Sequence, residues 1–124
     1  MFYDNGTKGI YIRGRWISDK QLQMGQPAPH GRFVHLYLNG TYWGQHHLME
    51  RPNASFMASY FGGEKEDYEA LNAGTPINGD GAAWNAMVAS LNDYETLQQY
   101  LDVVNYADFM LAQFYAGNNW DWLH

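Results

Sequence analysis

Near the end of this 124-residue chain, Asp121 stands in the run Gly117-Asn-Asn-Trp-Asp-Trp-Leu-His124. Such a run makes poor helix and poor strand, and a helix pattern leads into it. A carboxylate one loop past a helix, flanked by tryptophans and amides, is well held and partly desolvated. Those conditions suit a base or a metal ligand. Taken alone, Asp121 also reads as a capping or surface residue, though loops that hold unusual residues often carry function. A second constellation is Glu50-Arg51-Pro52, a carboxylate and a guanidinium where a strand ends. It reads either as the wall of a binding cleft or as a fold-holding ion pair, with the Arg otherwise forking onto backbone carbonyls. Histidines form a third. His46 and His47 are adjacent and point to opposite strand faces. His46 is instead expected diagonally opposite His35, with Glu50 further along that face. Three such groups are able to bind zinc, but histidine is also ordinary packing in an aromatic-rich hairpin.

Composition narrows what these residues can serve. Apolar residues make up 46% and aromatics 17% of the chain, a globular composition with material for one core. The formal charge is −6 and the seven Lys and Arg residues are scattered, so nucleic acid is an unsuitable partner. No apolar run approaches the ~20 residues of a membrane span. The start lacks a signal-peptide pattern, though a leader upstream of Met1 is compatible with it. Cysteine is absent, which removes disulfides, thiolate zinc sites and a cysteine nucleophile without choosing a compartment.

The elements that must position these groups follow from pattern. Asn39-Gly40 between two alternating runs signals a tight hairpin, pairing Leu38 with Thr41 and Leu36 with Trp43. One face then carries Val34, Leu36, Leu38 and Trp43 as core. The other carries Phe33, His35, Tyr37, Tyr42, His46, Leu48 and Glu50, as at the border of a cleft. Gly9 to Met24 reads as a strand start followed by a helix. Asn53 suits an N-cap for a helix through Phe61, stopped by Gly62-Gly63. Asp67 to Asn72 reads as extended and Ala73 to Gly81 as a loop. Asp80, Asp93 and Asp102 each suit the start of a later helix, and their apolar stripes read as core. Trp84, Met87, Val88 and Leu91 make one stripe, and Val103, Ala107, Met110 and Phe114 another, with Val104, Leu111 and Tyr115 alongside. A hairpin followed by helices is an α+β pattern, here in one domain over residues 1–124.

The segments FVHLYLNGTYWG, ERPNASFMASYFGG, the Gly-Asp before the Trp84 helix and FMLAQFYAGNNWDW, in this order, resemble the CotH spore-coat kinase family, from roughly Tyr11 to His124. The resemblance implies a partial atypical protein-kinase-like fold. It also implies transfer of phosphate from ATP, with Mg²⁺ or Mn²⁺, to Ser or Thr of a protein partner. By the same likeness, Asp121 corresponds to the catalytic-loop aspartate that accepts the substrate hydroxyl proton, and Glu50 and Arg51 would lie near nucleotide. Arg13, Arg15 and Arg51 are candidates for phosphate by charge alone. The metal-binding Asn expected about five positions after that aspartate would fall beyond His124. The chain therefore reads as a fragment ending in its catalytic loop and inactive as it stands. Relatives of this type are associated with spore coats, secretion or the cell surface. The competing reading is a non-catalytic surface module whose aromatics stack on carbohydrate.

Overall fold

The computed structural model describes residues 11–118. Asp121 lies outside them. The element order is helix α1 (Arg13–Gln23), strands β1 (Gly31–Leu38) and β2 (Thr41–Met49), helix α2 (Ala54–Phe61), a 3-10 turn (Lys65–Asp67), strands β3 (Ala70–Asn72) and β4 (Thr75–Asn78), and helices α3 (Ala82–Ala89), α4 (Tyr94–Leu97) and α5 (Val103–Tyr115). This is the α+β class expected from the pattern. Each pair, β1–β2 and β3–β4, is a separate two-stranded antiparallel sheet.

The main hairpin turns where Asn39 and Gly40 adopt φ of 49° and 81°. Both values belong to the turn whose twist matches paired strands. Leu38 pairs with Thr41 as expected, but Leu36 pairs with Gly44 and not with Trp43. Trp43 is the extra residue of a bulge, and Gly44, at φ 110°, supplies the backbone conformation that lets the strand continue. One inserted residue exchanges the faces of everything after it. His46 therefore pairs with Val34 and His47 with Phe33, so His46 joins the Val34–Leu36 face, opposite His35. The expected His35–His46–Glu50 set is not assembled, and the expected core face is not buried, since Trp43 is 63% exposed.

Helix starts obey their caps. The Asn53 side chain accepts from Phe56 N–H at 3.0 Å, and Asp102 accepts from Asn105 N–H at 2.9 Å. Asp93 accepts from Glu95 N–H at 3.2 Å. For α3 the cap position itself is Gly81, one residue after the expected Asp80, whose carboxylate still accepts from Ala82 N–H at 2.9 Å. The expected Ala73–Gly81 loop instead contains β4. Ala73 and Gly74, at φ 49° and 78°, make a second tight turn that folds Thr75–Asn78 back on β3.

The core is small: Ile17, Ala28, Ala54 and Ala112 are its buried apolar residues among those described. Helix α5 packs on α1, where Trp16 stacks on Tyr115 with ring centroids 5.6 Å apart. Gln26 ties the α1–β1 connection to α5, donating to Asp108 and accepting from Asn105. The apolar stripes assigned to the core are largely uncovered, with Leu91, Val104, Leu111 and Phe114 all exposed. The face of α5 that is covered carries Asn105, Asp108 and Ala112, a pattern of mixed polarity that apolar periodicity does not single out.

Candidate functional site

Glu50 is the residue at which the structure concentrates polar contacts. β2 ends at Met49, and Pro52, which has no N–H to give a ladder, lies between that end and Asn53, the extended N-cap of α2. Across the hairpin, Glu50 N–H donates to His30 C=O at 3.0 Å, which fixes the carboxylate beside the start of β1. Its Oε2 accepts from His30 N–H at 2.8 Å and lies 3.0 Å from His30 Nδ1. Its Oε1 accepts from the Tyr60 hydroxyl at 2.6 Å, and that hydroxyl lies 3.0 Å from the same His30 Nδ1. One protonation pattern puts a hydrogen in every contact: Tyr60 donates to Glu50, and His30 carries its proton on Nδ1 and shares it between Oε2 and the phenol oxygen. The His30 and Tyr60 rings stack with centroids 5.6 Å apart. The triangle thus joins the start of β1, the exit of β2 and the last turn of α2.

Electrostatics agree with that geometry. Hydrogen bonds from Tyr60, and then from the His30 backbone, hold the Glu50 carboxyl below its ordinary value. The same contact with Glu50 raises the Tyr60 phenol above its own. Glu50 is a stabilised carboxylate and a poor proton acceptor.

Two grooves meet at this carboxylate. One, about 440 Å³, is lined by His30, Gly31, Arg32, Leu48, Met49 and Glu50. The other, about 250 Å³, is lined by Glu50, Arg51, Ser55, Phe56, Ser59 and Tyr60. Glu50 lines both grooves and Arg51 the second. Among the described residues Glu50 makes its ion-pair contact with His30, a fold-holding contact, and no Glu50–Arg51 pair is present. Sequence reasoning missed His30 and Tyr60. Neither lies on the hairpin pattern that singled out Glu50, and only the fold brings them to it.

The other cationic candidates lie elsewhere. Arg15 is buried, and its guanidinium pairs with Asp19 at 2.7 Å. The same group sits against Gly31 and His47, at a spot where a Cβ on Gly31 would meet Arg15 Nη1, Leu48 O and His47 Nε2 at 2.7–2.9 Å. Arg15 lines neither groove, and neither does Arg13. Among the described residues no three His, Asp or Glu side chains are grouped to hold a metal ion.

The description "CotH kinase protein" belongs to the family whose model matches residues 1–123. This chain belongs to that family, and the match covers essentially its whole length. No curated protein and no solved structure matches it. No described helix is long and apolar enough to cross a membrane.

Proposed function

We propose that this chain is part of an atypical protein kinase that transfers phosphate from ATP to Ser or Thr hydroxyls of a protein partner. The family match along essentially the whole chain carries this reading. The grooves meeting at Glu50 support it: a lining that includes Leu48 and Met49 beside a fixed acceptor suits a nucleoside, with Glu50 and Arg51 proposed as the cleft wall. Asp121 is assigned the acceptance of the hydroxyl proton. Mg²⁺ or Mn²⁺, when bound, supplies neutralisation of the phosphates. The described residues offer that ion no grouped ligand set, so no step is assigned through it.

The test is incorporation of labelled phosphate from ATP and Mg²⁺ or Mn²⁺ into a Ser/Thr-containing protein, using the open reading frame that contains this chain. Incorporation is expected, and Asp121→Ala is expected to reduce it to background. Unchanged incorporation in that variant removes Asp121 from its role. One observation favours the non-catalytic alternative. Tyr37 and Tyr42 lie with ring centroids 5.2 Å apart, and both are exposed, as is Trp43, an aromatic character that suits contact with sugar rings. Retention on a polysaccharide column, with no phosphate incorporated, would select that reading.

A further inference from the structure

A carboxylate has about four acceptor positions, two on each oxygen. At Glu50, His30 N–H and Nδ1–H occupy both on Oε2, and the Tyr60 hydroxyl occupies one on Oε1. We propose that His30 and Tyr60 are positioning residues that, among the described residues, leave Glu50 a single free acceptor site, on Oε1, for one neutral N–H or O–H donor of a nucleoside. This deepens the kinase reading and rests on it. A saturated Oε2 excludes two-pronged capture of a ribose diol. It also makes Glu50 a poor metal ligand, since a cation would have to strip away hydrogen bonds already made. The fixed negative charge disfavours phosphate at Glu50 itself, while Arg32 and Arg51 line the same grooves as cationic neighbours. The nucleoside end of a nucleotide therefore faces Glu50, with the phosphates directed away from it. Either of two groups supplies the donor, a ribose hydroxyl or the exocyclic amine of the base.

The positioning half is read without ligand, by following the Glu50 side-chain carbonyl carbon through a pH titration by NMR. Its midpoint is expected to lie below that of an ordinary glutamate and to rise in Tyr60→Phe. A midpoint unchanged by that substitution overturns the positioning role. The ligand half is read by calorimetry with ADP, 2′-deoxy-ADP and inosine diphosphate. Glu50→Gln and Tyr60→Phe are each expected to weaken ADP about fivefold, the scale of one ordinary hydrogen bond at a site where water competes. One of the two analogues is expected to bind the unaltered chain that much more weakly and to lose its disadvantage in Glu50→Gln. Loss with 2′-deoxy-ADP assigns the ribose, and loss with inosine diphosphate the amine. ADP binding that ignores both substitutions and ranks the analogues equally overturns the single-acceptor assignment while leaving the nucleotide reading intact. Failure of the unaltered product of the open reading frame that contains this chain to bind ADP refutes the nucleotide reading, and the titration still decides the positioning role. Circular dichroism of Tyr60→Phe confirms that the comparison is made on folded protein.

Discussion

Gly31→Ala tests whether the base of the hairpin is built as tightly as the Glu50 site requires. An added Cβ would lie 2.7 Å from Arg15 Nη1, 2.8 Å from Leu48 O and 2.9 Å from His47 Nε2. Such contacts normally stay beyond about 3.4 Å, so each wall has to retreat by roughly half an ångström. Leu48 O is backbone in β2, opposite Arg32 in the ladder, and cannot retreat without pulling the register. The guanidinium is the end of a flexible chain, but it is buried and held by Asp19. Overpacking of this kind costs about 1–3 kcal/mol. Gly31 is absent from the positive-φ glycines, so alanine also restricts the unfolded chain and recovers about 0.5–1 kcal/mol. Taking the middle of each range, the net expectation is a loss of about 1 kcal/mol, or roughly 3–6 °C in Tm for a chain of this size. Thermal and urea unfolding read it directly. Equal or greater stability in Gly31→Ala would refute the packing argument. A double variant with Arg15→Ala localises the clash. If the guanidinium is one of the walls, the glycine substitution costs less in that background, whereas strict additivity would show that it is not.

Three further outcomes follow from local geometry. Asn53→Ala removes the acceptor for Phe56 N–H and is expected to cost about 1 kcal/mol, seen as a lower urea midpoint at unchanged slope. Ala73→Gly relieves a left-handed conformation that costs alanine about 1 kcal/mol, so a net gain of up to that size in Tm-derived stability is expected. The Glu50–Tyr60 contact sets two pH edges. Because folding lowers the Glu50 value, its contribution is present above 4.5 and is lost as pH falls through the folded value. Because folding raises the Tyr60 value, its contribution is present below 10 and is lost as pH rises through the folded value. Stability profiles against pH should therefore lose the alkaline edge in Tyr60→Phe and soften at the acid one.

Local signals in the sequence translate into structure wherever a backbone group needs one particular neighbour. Asn39-Gly40, the Asn53 and Asp102 caps and the Gly62 stop all act within a few residues, and each is where its chemistry places it. The bulge at Trp43 was not legible. Alternation alone has no term for an inserted residue, and Gly44 was the sole hint that the strand needed unusual backbone. The β4 strand was hidden because Pro76 and the glycines read as loop, while the turn that creates it begins on an alanine. Half of the candidate site was readable. Glu50 stands out as a charge at a strand exit, but its partners lie 20 residues before it and 10 after it in sequence. No local rule connects positions so separated.

The uncovered stripes bear on how that site is held. A large apolar side chain contributes about 1.5–3 kcal/mol when fully buried, and the exposed Leu91, Val104 and Leu111 realise little of it in the described structure. A site that relied on such packing for its geometry would be loosely held. The Glu50 carboxylate is held by other means: three donors, two of them from one histidine, and a phenol from the helix that follows. Hydrogen bonds to a charged acceptor contribute about 1.5–3 kcal/mol each when shielded and less where water competes. With the Glu50 side chain 38% exposed, water does compete. What protects the arrangement is its closure, since each group in the triangle contacts the other two. Breaking one contact leaves two in place, so the carboxylate keeps its direction through fluctuations that would release a single-bonded side chain.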